Sequence, residues 1–289
     1  MIELVHDIAG ALGLNVSGAT ELTPGGNRRM LRIDCPGRSL FVKLLPADRT
    51  DAFQSEASGL ELLRDADAFR VPQVYGYGNV GDLAWLALEW LDLRPVSTAE
   101  DGRIFGQALA ALHARHGELY GLDHDNWLGD CPQQNGYFSS WPQFYARRRI
   151  EPLLHMLMAG GERGGLIGDL QSIVERLPAL FLDYRPVPSL LHGDLWHGNA
   201  GMVDARPAVF DPAVHFGDRE SDYAMTELFG GFPLAMYAAY QQYSPLDAGA
   251  ASRRKLYRLR HLLNHLVLFG QSYRRETERT AAHLLSELR

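Results

Sequence analysis

The segment His192-Gly193-Asp194-Leu195-Trp196-His197-Gly198-Asn199 and the Asp211 that follows hold the densest chemistry in this sequence of 289 residues. A carboxylate in a glycine-flanked loop can orient a hydroxyl and take its proton, a role that suits Asp194. Five residues on, the amide oxygen of Asn199 can bind a cation, and twelve residues further Asp211 adds a charged oxygen ligand. Hard oxygen donors suit Mg²⁺, which bridges nucleotide phosphates in phosphoryl transfer. Asp and Asn also cap turns routinely, so neither residue decides alone. The whole string, with Asp211 at its spacing, points to metal-assisted phosphoryl transfer. His192, just ahead of the aspartate, reads as a hydrogen-bonding brace for the loop.

A nucleotide half is legible upstream. Phe41-Val42-Lys43-Leu44 sets a lysine inside an apolar run. Such a lysine needs an anionic partner or a route for its ammonium to water. Glu56 is the natural partner, and the pair would position the phosphates of ATP. Pro24-Gly25-Gly26-Asn27 can form a turn over those phosphates, although Gly25 and Gly26 also suit an ordinary loop. Leu88-Glu89-Trp90-Leu91 ends an apolar run, and backbone groups of Glu89 and Leu91 would meet an adenine there, beside Trp90.

These residues need elements to hold them. Apolar alternation predicts strands at 30–35 and 39–45 about the Pro36-Gly37 turn, and further strands at 74–77 and 83–91. Phe53, Ala57, Leu60 and Leu63 are spaced as a helix between them, and residues 1–14 read as an amphipathic helix. After Asp92 the pattern turns helical, at 104–113, from Trp141-Pro142, through Leu170 to Leu177, and through Leu256 to Leu266. One β-rich island, 190–213, interrupts it. The expectation is an α+β chain of two lobes: an antiparallel-sheet nucleotide lobe at 1–91 and a helical lobe at 92–289 carrying the catalytic loop, with the ligand cleft between.

Composition narrows the partners. A net charge of -7 gives no electrostatic case for nucleic acid. No run approaches the roughly 18 apolar residues of a membrane span, and the start of the chain lacks a signal-peptide pattern. Cys35 and Cys131 are too few for a disulfide framework, so a cytoplasmic setting is expected.

The chain is similar to the fructosamine kinase (ketosamine-3-kinase) family, in the aminoglycoside-phosphotransferase-like branch of the protein-kinase-like fold. The resemblance lies in Leu190-Leu191-His192-Gly193-Asp194-Leu195-Trp196, in Phe210-Asp211-Pro212-Ala213 and in Phe229-Gly230-Gly231-Phe232-Pro233. It extends to Pro132-Gln133-Gln134-Asn135, Trp141-Pro142-Gln143-Phe144 and Leu263-Asn264-His265. It implies ATP-dependent phosphorylation of the third-carbon hydroxyl of a ketosamine, either a small glycated amine or a glycated lysine. It implies Asp194 as proton acceptor, Asn199 and Asp211 as Mg²⁺ ligands, Lys43 with Glu56 on the phosphates, and 89–91 as the hinge. Trp196 then faces the sugar or packs in the core, and Asp222 braces the catalytic loop. His197 stands where the family often has serine, either at the substrate or facing solvent. A related kinase of an aminoglycoside, choline or a sugar would share the loop. A nucleotide-binding regulator without turnover is disfavoured, because Lys43, Glu56, Asp194, Asn199 and Asp211 are all present.

Overall fold

The computed structural model describes residues 1–22 and 29–288. Gly25 and Gly26 lie outside the described residues. The front of the molecule begins with helix α1 (Ile2–Ala11) and continues through strands β1 (Gly18–Glu21), β2 (Arg29–Cys35) and β3 (Arg38–Pro46). Helix α2 (Thr50–Asp65) and strands β4 (Val74–Val80) and β5 (Leu83–Glu89) complete it. The described strands form one antiparallel sheet in the order β1-β2-β3-β5-β4.

Strand alternation decides what each face of this sheet does. Leu40, Val42 and Leu44 of β3 pack with Trp85, Ala87 and the buried Val5 and Ile8 of α1. Lys43 and Leu45 point the other way, so the same register that buries Val42 and Leu44 under α1 aims Lys43 into the interior between the lobes. Helix α2 begins upstream of the expected residue 53 and places Glu56 opposite Lys43.

Beyond β5 the chain forms α3 (Ala99–His113), the short hairpin β6 (Asn126–Leu128) and β7 (Cys131–Gln133), α4 (Trp141–Tyr145), α5 (Glu151–Ala159) and α6 (Gly165–Arg176). The β-rich island follows as β8 (Ser189–Leu191), β9 (Ala200–Val203), β10 (Arg206–Val209) and β11 (His215–Gly217), with β9 pairing β10 and β8 pairing β11. Helices α7 (Glu220–Thr226), α8 (Leu234–Tyr243), α9 (Ala250–Phe269) and α10 (Arg274–Glu287) close the chain. Helix α3 opens on a capping box, in which the Thr98 hydroxyl accepts the Asp101 N–H and the Asp101 carboxylate accepts the Thr98 N–H. Its glycines let α8 come close: a Cβ at Gly106 would lie 2.3 Å from the Met236 carbonyl oxygen.

The front and back halves share apolar packing. Phe53 and Leu60 of α2 and Leu86 and Leu88 of β5 join Phe105, Leu109, Leu190, Val209 and Val214 in one buried cluster. Contact between α2 and the segment after Asp211 is close, since a Cβ at Gly59 would sit 3.0 Å from Val214 Cγ2. A second cluster, built on Trp141, Phe144, Tyr145, Leu170 and Leu263, holds the helical back together. No described helix is long and apolar enough to cross a membrane.

Candidate active site

Lys43, Glu56, Asp194, Asn199 and Asp211 meet around one cavity of about 440 Å³ between the sheet and the helices. The Lys43 ammonium donates to Glu56 Oε1 at 2.7 Å and to Asp211 Oδ1 at 2.5 Å. Burial alone would lower its pKa. Asp211 and then Glu56 outweigh that burial and hold it up to about 12, so Lys43 stays charged at any working pH. Asp211 has a left-handed backbone, φ +56, a conformation that Asp tolerates better than most residues and that needs surrounding structure to hold it.

The catalytic loop is held from below. The Asp222 carboxylate, on α7, accepts the His192 N–H at 2.7 Å and the Gly193 N–H at 2.9 Å, and lies 3.3 Å from His113 Nε2. Burial would raise the Asp222 pKa, but the bond to His113 leads a set of favourable contacts that keep it below the usual carboxylate value. His192 Nδ1 accepts the Asp194 N–H at 3.3 Å, which assigns the proton to Nε2, 3.0 Å from the Phe210 carbonyl. Burial lowers the His192 pKa, which favours the neutral ring. Gly193 is required here: its φ is +83, and a Cβ would lie 2.0 Å from the Ala213 carbonyl oxygen.

Asp194 opens onto the cavity with 22% of its side chain accessible. Desolvation raises its pKa to about 7, against the lowering pull of Arg260. Asn199 Nδ2 donates to both Asp194 Oδ2 and the Asp194 carbonyl, each at 3.0 Å. That orientation commits the Asn199 nitrogen. Among the described residues it leaves Asn199 Oδ1 and Asp211 Oδ2 without a hydrogen-bond donor. Two hard oxygens at the edge of one cavity fit a Mg²⁺ ion whose remaining positions go to phosphate and water. No cluster of three His, Cys, Asp or Glu suited to a metal exists among the described residues, so a protein-only cage is not what this site offers.

A second cavity of about 430 Å³ is lined by Phe41, Leu88, Trp90, Leu91 and Phe210, and Asp211 borders both cavities. The Glu89 N–H donates to the Gln73 carbonyl at 2.8 Å, and the Leu91 carbonyl accepts the Leu93 N–H at 2.9 Å. Glu89 and Leu91 both border this cavity. The Glu89 carboxylate is engaged by Arg70 and by the Gln73 N–H. Trp90 stacks under the Arg32 guanidinium, 4.5 Å from its ring centre.

Trp196 and His197 part company. The Trp196 ring lines the first cavity, edge-on to Phe229 at 6.1 Å. His197 is exposed, its ring lies 4.8 Å from the Trp196 ring, and it does not border the cavity. Other site-forming residues went unread in the sequence. Arg260, on α9, is buried beneath the loop and donates to the Gly193 carbonyl at 3.3 Å and to Gln133 Oε1. The β6–β7 hairpin braces the segment after Asp211, with Asn126 Nδ2 donating to the Val214 carbonyl at 2.8 Å. Pro132-Gln133-Gln134-Asn135 was the available signal for that hairpin. Arg260 had none, because it sits in a run of basic residues that looks like a solvated helix face.

An antiparallel sheet over a helical lobe, with a Lys–Glu pair facing an Asp–Asn–Asp loop set, defines the kinase-like phosphotransferases. An aminoglycoside phosphotransferase solved with ADP and hygromycin B shares this fold, with a TM-score of 0.66 over 99% of this chain and 96% of its own, at 16% identity. The chain belongs to the fructosamine kinase family, whose sequence model matches residues 5–287. A Vibrio vulnificus protein named probable ketoamine kinase is 40% identical over 248 residues, 85% of each chain. A crystal structure from Haemophilus somnus, named as a fructosamine-3-kinase, superposes with a TM-score of 0.88 at 33% identity, over 98% of this chain and 96% of its own. The family resemblance carried by the loop motifs therefore holds along nearly the whole chain.

Proposed function

We propose that this chain is an ATP- and Mg²⁺-dependent kinase that phosphorylates the third-carbon hydroxyl of ketosamines, with Asp194 as the base. Family membership supports the substrate class. The observation that carries the chemistry is the division of labour around Asp194. Asn199 holds Oδ2, so Oδ1 is the oxygen left to meet an acceptor hydroxyl. The acceptor oxygen attacks the γ-phosphorus, the bond to the β-phosphate oxygen breaks, ADP keeps that electron pair, and the hydroxyl proton ends on Asp194. Mg²⁺ held by Asn199 Oδ1 and Asp211 would offset the phosphate charge. Lys43, fixed by Glu56, steers the phosphates, and the second cavity takes the adenine against Phe41, Leu88 and Trp90 with Glu89 and Leu91 at its edge. Trp196 offers its ring to the sugar. Cys35 and Cys131 are buried free thiols, which suits a reducing cytoplasm.

The test is an acceptor panel with ATP and Mg²⁺, following ADP release with fructosamines, ribulosamines, aminoglycosides and free sugars. Release driven by a glycated amine is the expected result. Release with aminoglycosides or sugars alone would replace the substrate class while leaving the fold-level chemistry intact.

A further inference from the structure

Helix α9 presents Arg260, His261, Asn264 and His265 toward the catalytic loop on adjacent turns. Arg260 is spent on the Gly193 carbonyl, and His265 Nδ1 bonds the His261 carbonyl at 2.8 Å. Asn264 is different. It is only 4% exposed, it borders the cavity that holds Asp194, and its Oδ1 has no hydrogen-bond partner among the described residues. A buried amide left unpaired is unfavourable by about 1–3 kcal/mol, so its retention beside a reaction centre calls for a partner that arrives with the ligand. His261 Nδ1, one turn away, lies 4.0 Å from Asp194 Oδ1, which puts this face of α9 within reach of a molecule seated on Asp194.

The surroundings say what that partner is. Phe229 packs 4.6 Å from the His265 ring, and Tyr273 lies 4.9 Å from that ring and 6.5 Å from Phe229. The cations that border the cavity belong to the sheet side and are already paired: Lys43 with Glu56 and Asp211, Arg29 with Glu21, and Arg49 with Asp130. The α9 side borders the cavity with a neutral amide, aromatic faces and the Asp194 carboxylate, while the Arg260 guanidinium behind it is spent on the Gly193 carbonyl and Gln133, a setting for a donor that carries positive charge. In a ketosamine the nitrogen on the first carbon is four covalent bonds from the hydroxyl oxygen on the third, roughly 5 Å when extended. An ammonium at that distance from Asp194 meets this face of α9.

Resting on the ketosamine kinase reading above, we propose that Asn264 is a specificity-determining residue whose carboxamide oxygen accepts a hydrogen bond from the ammonium linking sugar to amine, beside Phe229 and Tyr273. An amide suits the place better than a carboxylate. A second negative charge would face Asp194 and oppose its ionisation.

The test compares a ketosamine with the 1-O-alkyl ether of the same ketose, which has the same shape but an oxygen acceptor in place of the ammonium. Acceptor KM and kcat, the ATP KM and the melting temperature are measured for wild type, Asn264→Asp and Asn264→Leu. The wild type should favour the ketosamine by about 10- to 100-fold in kcat/KM, the worth of a hydrogen bond to a charged group. Asn264→Leu should abolish that preference, mainly through KM, with the ATP KM unchanged and no loss of melting temperature. Asn264→Asp should keep the preference. Equal losses on both acceptors in Asn264→Leu, or a lower melting temperature with the preference intact, would overturn the assignment. Turnover of neither acceptor by the wild type would instead reject the ketosamine reading itself, and this assignment with it.

Discussion

The two sides of the cleft differ in how their charges are balanced. On the sheet side every charge that borders the cavity already has a partner, with Lys43 held between Glu56 and Asp211. On the α9 side two buried polar atoms, the Asn264 amide oxygen and His261 Nδ1, have no hydrogen-bond partner among the described residues; on the sheet side the same holds for Nε and Nη2 of Arg49, whose charge is balanced by Asp130 at 3.6 Å. Under the proposed reading, the set of Lys43, Glu56 and Asp211 is assembled before ATP arrives, and the phosphates would enter a fixed electrostatic frame with little reorganisation. Under the same reading, the acceptor half would be completed by its substrate at Asn264. Asp194 sits on the boundary: Asn199 holds its Oδ2, and Oδ1 is the oxygen that the proposed acceptor would meet.

Removing the boundary residue should have the largest effect. Asp194→Asn is expected to lower kcat by about 10²–10⁴-fold while leaving ATP binding, measured by titration calorimetry, near the wild-type value. The same variant should melt at a higher temperature near pH 8. Folding raises the Asp194 pKa from 3.8 to about 7, so the folded protein favours the neutral form and the ionised carboxylate weakens the fold above that range. That gain should vanish below about pH 4, where the carboxyl is protonated in both states. A parallel consequence concerns rate. The base form is lost as pH falls through about 7, so kcat/KM should drop about tenfold per pH unit on the acid side.

Breaking the preassembled side comes next. Asp211→Ala should weaken Mg²⁺-dependent ATP binding by at least about 10–100-fold in Mg²⁺ titrations, the loss typical even of outer-shell metal partners. Unchanged affinity would remove Asp211 from the metal site. At the rim of the open side the effect should be small. His197→Ser should alter kcat/KM for a ketosamine by less than about threefold, the range of surface substitutions, because the ring is exposed and does not border the cavity. A larger loss would bring His197 into the acceptor site after all.

The same asymmetry governs what the sequence disclosed. Lys43 was legible because strand alternation puts it on the face opposite Val42 and Leu44. Asp194, Asn199 and Asp211 were legible because one loop and one hairpin fix their spacing. The strands at 30–35 and 39–45 and the helix over 53–64 were found within a few residues, since both rest on local periodicity. The acceptor half is assembled by contacts distant in sequence. Arg260 reaches Gly193 across 67 positions, and Gln133 reaches Ala213 across 80. A buried arginine or asparagine on a long helix has the same local signature as a solvated one. Helices α8 and α10 went unread: α8 is apolar around much of its circumference and shows no clean stripe, whereas the stripe of Ala281, Leu284 and Leu285 in α10 is short and follows a run of charged residues.

The most direct test of the central claim is the structure of the product. The protein would be incubated with Mg²⁺, ATP and a fructosamine, and the product read by phosphorus and proton nuclear magnetic resonance. One phosphate on the third-carbon hydroxyl, formed in step with ADP and absent with Asp194→Asn, is the expected result. Phosphate on another hydroxyl, or ADP release that does not depend on the fructosamine, would contradict the account.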